Sequence, residues 1–130
     1  MNQKGQTAVE YLITTSFLLL ITGIIFAYGL FIYTDSVASS TARTAVSSIV
    51  NTINQVYALG PGTALFISVD IPQNIGDIKI ESTSSHSALV FQLQTSGGLS
   101  DISETAKTTF EFSGPTENDL KQEGRYPLKV

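Results

Sequence analysis

The sequence contains no cysteine, no tryptophan, a single methionine and a single histidine, His86. Without cysteine there is no disulfide framework, no thiol nucleophile, no zinc knuckle and no iron–sulfur cluster. One histidine is too few for a His-based metal site or a persuasive catalytic triad. Charge is scarce too, at 14% of residues, where a typical soluble domain has about 25%. The eleven acids outnumber the seven Lys and Arg, for a net charge of -4. No basic stripe can therefore neutralise phosphates, so nucleic acid is excluded as a partner. Proline is missing until Pro61. These absences leave a membrane-associated chain with a small polar domain, not an enzyme, and no cofactor is expected.

What is present is uneven. Residues 11–34 carry no charged side chain, and most are apolar. As a helix this run rises about 36 Å, enough to cross a hydrocarbon core of roughly 30 Å. A single span in lipid has to be helical to satisfy its own backbone. Gly23 and Ala27 form a small-x-x-x-small pair that lets helices approach closely. Hydropathy alone is also met by a plain single-pass anchor.

The helical signal continues past Asp35. Ala38, Ala42, Ala45, Val46, Ile49, Ile53, Val56 and Tyr57 recur at steps of three and four, giving one apolar stripe. Gly60-Pro61-Gly62 then supplies a helix stop. The spacing predicts one helix over 6–59, apolar over 11–34 and amphipathic over 35–59, about 80 Å long. That is far longer than a membrane requires. A hinge follows at 60–63, and the stripe of Ala42, Ala45, Val46, Ile49, Ile53 and Val56 is expected to dock a folded domain.

Beyond the hinge the period shortens to two. Leu65, Ile67, Val69 and Ile71 alternate with Phe66, Ser68 and Asp70 until Pro72. Asn74-Ile75-Gly76 reads as a turn into Ile78-Lys79-Ile80-Glu81. Leu89, Phe91 and Leu93 mark a further strand, Phe110 and Phe112 another, and residues 125–130 a closing one, with Pro127 confining it to an edge or bulge. The fold class is α+β: a long N-terminal helix followed by a small antiparallel β-sandwich-like domain over 64–130.

Chemistry-bearing constellations are few. His86 lies between two serines with no Gly-x-Ser-x-Gly elbow, and an exposed loop histidine is the simpler reading. Asp101 with Glu104, or Glu117 with Asp119, could attract calcium, but neither pair has EF-hand spacing. No Asn-x-Ser/Thr acceptor occurs.

The extreme N-terminus is more specific. Lys4-Gly5 precedes Gln6-Thr7-Ala8-Val9-Glu10, which runs straight into the apolar helix without a separate h-region. This resembles the processing site of archaeal type IV pilins with a class III signal peptide, where a basic residue and a glycine precede the cut. The mature chain of that family begins Gln-x-Ser/Thr/Ala-x-Glu, matched here at Gln6, Ala8 and Glu10. The resemblance implies that residues 1–5 are removed between Gly5 and Gln6 by a prepilin-type signal peptidase. It also implies a homopolymeric filament built with an assembly platform and an assembly ATPase. The precursor would sit in the cell membrane, C-terminal domain outside, and the mature form in an extracellular pilus used for adhesion.

Elementary physics gives these residues fitting tasks. Lys4 suits the cytoplasmic side. Cutting frees an α-amino group on Gln6, whose ordinary pKa of about 7.7–8.0 leaves it largely cationic at neutral pH. Glu10, one turn on, would compensate a neighbour's amine within a bundle of apolar helices. The plainer alternative makes Glu10 a helix-terminal acid at the membrane interface. Assembly is thus expected to involve Gln6, Glu10, Gly23 and Ala27. Two other readings stay open: a tethered surface binding module with an uncleaved anchor, and an archaellin-like subunit of a swimming filament.

Overall fold

In the computed structural model the backbone is described for residues 3–111, 120 and 124–130, with side chains from residue 5 onward. Helix α1 spans Gln3–Leu59. The strands are β1 (Phe66–Ile71), β2 (Ile75–Ser82), β3 (Ser87–Thr95), β4 (Gly98–Ala106) and β5 (Gly124–Lys129). The chain divides into two units, Met1–Thr34 and Asp35–Val130. The first is helical wherever it is described. The second holds the rest of α1 and two antiparallel sheets, so the protein is α+β.

Leu59 is the last helical residue, and Gly60 follows at φ 94°, a left-handed conformation that costs a glycine nothing. The Gly60 N–H donates to the Val56 carbonyl at 3.2 Å, closing the final turn. Gly62 repeats the positive φ at 88°, and the chain turns into β1.

Among the described residues β1 pairs only with β5, so Pro127 sits opposite Ser68 in a two-stranded sheet, where a missing N–H is tolerated. The other sheet has the order β2-β3-β4. A bulge between Ile75 and Asp77 shifts the register, which lets both Ile75 and Ile78 face inward although they are three apart. The turn before β2 lies at residues 73–74, with Asn74 at φ 64°. Ile75 and Gly76, expected in that turn, already belong to the strand.

One core joins both sheets to the helix. Ala42, Ala45, Val46, Ile49, Val50 and Ile53 of α1 meet Val69 and Ile71 of β1, Ile78 of β2, and Leu89, Phe91 and Leu93 of β3. Each large side chain buried there contributes about 1.5–3 kcal/mol relative to exposure. Leu120 is fully buried in the same cluster.

The expected strand at Phe110 and Phe112 is not there at Phe110, which is irregular and packs its ring partly buried against the core. Phe112, Glu117 and Asp119 lie outside the described residues. β4 is a strand that alternation did not reveal, because only Ile102 and Ala106 along it are buried.

Candidate assembly surface and processing site

The described side chains of the first unit are all exposed. Seventeen large hydrophobic side chains from Val9 to Tyr33 show between 41% and 75% of their surface. At the lower bound of 1.5 kcal/mol per side chain, leaving them in water would cost on the order of 25 kcal/mol. That exceeds the whole stability of an ordinary domain, about 5–15 kcal/mol. The surface is therefore built to be covered. Mean hydropathy reaches 2.2 over an 18-residue window, so the helix is long and apolar enough to cross a membrane.

Its polar side chains are prepared for a dry environment. Thr14, Thr15 and Thr22 donate their hydroxyls to the carbonyls of Glu10, Tyr11 and Leu18 at 2.8–2.9 Å, and Thr34 does the same to Leu30 at 3.0 Å. Each bond removes a donor that lipid could not satisfy. Gly23 and Gly29 have nothing within 4 Å of a would-be Cβ, so no contact inside this chain keeps either one small. Ala27 shares that exposed surface.

The processing motif lies on the same helix. Gly5, Gln6, Ala8 and Glu10 are helical and exposed, while the Lys4 side chain lies outside the described residues. α1 starts at Gln3, so the Gly5–Gln6 bond is inside the first turn and not ahead of the helix. Glu10 has no ion-pair partner among the described residues.

In the second unit the predicted stripe is found at different depths. Ala42, Ala45, Val46, Ile49 and Ile53 are buried, Val56 is half-buried and Tyr57 is exposed. Val50, not counted in the stripe, is as buried as Val46. A groove of about 470 Å³ is lined by Ile53, Val56, Tyr57, Phe110 and Leu128 among others.

Several polar groups of this unit are engaged in hydrogen bonds. Asp35 accepts the Ser96 N–H at 3.0 Å and the Ser96 hydroxyl, and these bonds hold its carboxyl below the ordinary carboxylate value. Arg125 grips Asp70 through two bonds of 2.7 and 3.2 Å, which lowers the Asp70 pKa and raises that of Arg125. Ser47 donates to Glu104, and Gln92 donates to Asp101 at 3.0 Å. His86 is exposed, with Nδ1 2.6 Å from the Ser85 hydroxyl. Among the described residues no three His, Cys, Asp or Glu side chains gather to hold a metal. The Asp35–Ser96 and Ser47–Glu104 pairs had no signal in the sequence beyond Asp35 being the first charge after the apolar run.

No curated protein and no solved structure matches this chain. Residues 5–47, about a third of the chain, match the TadE-like protein family, which is pilus-associated.

Proposed function

We propose that this chain is the precursor of a pilin, a structural subunit that polymerises through its N-terminal helix into an extracellular filament. The observation that carries this reading is the helix over residues 5–34, apolar and wholly uncovered, within a segment that matches a pilus-associated family. In the membrane lipid covers the monomer's helix, and in the filament sister helices replace the lipid. Head-to-tail packing that does not close on itself generates a fibre.

The finer reading is an archaeal type IV-like pilin with a class III signal peptide, supported by Lys4-Gly5 and by Gln6, Ala8 and Glu10. A prepilin-type signal peptidase cuts between Gly5 and Gln6, and a platform protein and ATPase drive assembly. The sheet-bearing unit then faces solvent at the cell surface and serves attachment; its role is structural and not catalytic. Electron microscopy and intact-mass analysis of sheared surface material test this. Filaments whose subunit starts at Gln6 are the expected result. A membrane-bound monomer still starting at Met1, with no filaments, would overturn it.

A further inference from the structure

Three hydrogen bonds lay the β3–β4 hairpin alongside the helical part of the second unit. The Ser96 N–H donates to the Asp35 carboxylate at 3.0 Å, the Ser47 hydroxyl donates to Glu104, and the Lys107 N–H donates to the Asn54 side-chain oxygen at 2.8 Å. As α1 runs from Asp35 to Ser47 to Asn54, its partners run from the β3–β4 turn through β4 to the residue after it. The hairpin tip at residues 96–97 therefore lies at the Asp35 end. Asp35 directly follows Thr34, the last residue of the uncharged run, and α1 continues unbroken through both. One helical residue rises about 1.5 Å, whereas the polar zone on each face of a bilayer is roughly 5–7 Å thick. When lipid covers the apolar run, the residue that holds the hairpin tip is at the membrane boundary.

The composition of this end suits lipid. No charged side chain occurs over residues 87–100, nor over residues 36–42 of the helix. The Asp35 carboxylate beside them is engaged by its two bonds from Ser96. Among the described residues, the large apolar side chains that the second unit exposes fall at its two ends. Val37 and Leu99 are near Asp35 and Ser96, and Tyr57, Leu59 and Phe66 are where the helix stops. Leu99 is 67% exposed and stands opposite Gln94, two strand residues or about 7 Å back from Ser96. We infer that the β3–β4 turn and Leu99 rest in the headgroup zone of the membrane, so that the second unit leans on the lipid surface before assembly. A lone leucine binds a membrane weakly, but here the helix supplies the attachment, and the leucine has only to set the orientation. β3, β4 and their turn contain no Lys or Arg, so the contact needs no anionic lipid. This rests on the reading in which lipid covers the monomer's helix.

The chain has no tryptophan, so a single introduced one reports its own surroundings. Leu99→Trp at the turn, Leu19→Trp in the apolar run and Phe66→Trp at the opposite end all replace exposed side chains and leave the core untouched. The full-length chain carrying each is reconstituted in phosphatidylcholine vesicles, with bromine placed either near the headgroup or deep in the acyl chain. Deep bromine should quench Leu19→Trp. Shallow bromine should quench Leu99→Trp several-fold more than Phe66→Trp, with blue-shifted emission from Leu99→Trp. Equally weak quenching of Leu99→Trp and Phe66→Trp, with Leu19→Trp quenched, would overturn the inference and leave the membrane helix standing. Blue-shifted emission from Leu99→Trp that no brominated lipid quenches would mean that a second copy covers the leucine, and would also overturn it. An unquenched Leu19→Trp would overturn the reading that lipid covers the helix, and this inference with it.

Discussion

Asp35 receives two hydrogen bonds from Ser96, one from its N–H at 3.0 Å and one from its hydroxyl. Asp35 is the first charged residue after the apolar run, and Ser96 lies in the turn between β3 and β4. One carboxylate thus fastens that turn to the helix where the second unit begins. A folded pKa below the unfolded one means that the unfolded state binds more protons between the two values. The stabilisation is therefore fully present above the unfolded pKa and is lost as pH falls through the lowered folded pKa. Acidification below about pH 4 should lower the thermal midpoint of a fragment of residues 35–130. Asp35→Asn should lower the midpoint at pH 7 and flatten part of the acid dependence. The Asp70 carboxylate, lowered by Arg125, accounts for a further share.

That fragment is itself a test of where the core lies. The buried face of α1 from Ala42 to Ile53 belongs to the same cluster as both sheets. Residues 35–130 should fold cooperatively by circular dichroism and calorimetry, and residues 62–130 should not. Equal stability of the two would show that the helix face is dispensable.

Within the fragment, depth along the stripe should decide the cost. Ile49 is 2% exposed and Tyr57 is 63% exposed. Ile49→Ala should lose about 2–5 kcal/mol, and Ile49→Asp should abolish folding by burying an unpaired charge. Tyr57→Ala should fall within about 0.5 kcal/mol of wild type. Denaturant titration checks all three.

The parts of the fold visible in the sequence are those where one period dominates. β1 shows its alternation because Ile67, Val69 and Ile71 face inward while Phe66, Ser68 and Asp70 do not. β4 hides because its inward face runs Ile102, Glu104, Ala106, and the helix answers the middle carboxylate with the Ser47 hydroxyl. A polar residue on the buried side erases a two-residue period. Phe110 misleads for the opposite reason: its ring supplies the core from an irregular segment. In the candidate site, Gly5, Gln6, Ala8 and Glu10 stand out in the sequence because they are contiguous with the apolar run, and the structure places them as exposed residues of the same helix. Asp35 and Ser96 are 61 residues apart, and nothing local connects them.

Glu10 separates a filament subunit from an anchor. Glu10→Gln should leave membrane insertion unchanged, because hydrophobicity is untouched. In a filament it would leave a neighbour's Gln6 amine uncompensated in an apolar bundle, at a cost of several kcal/mol. Sheared filament yield should therefore fall sharply at equal membrane levels of cleaved subunit, with cleavage verified by mass. Normal yield would remove this role from Glu10.

The central claim is that other copies of the chain cover the apolar helix. Because the natural sequence contains no cysteine, single-cysteine variants report without background. Leu19→Cys and Phe26→Cys lie on that exposed helix, and the measurement is their reaction in sheared filaments with a water-soluble maleimide and with a thiol-oxidising catalyst. The account predicts protection from the maleimide, together with disulfide-linked dimers that contain two copies of this chain. Full labelling, or no dimer at any position along 11–34 in intact filaments, would contradict it.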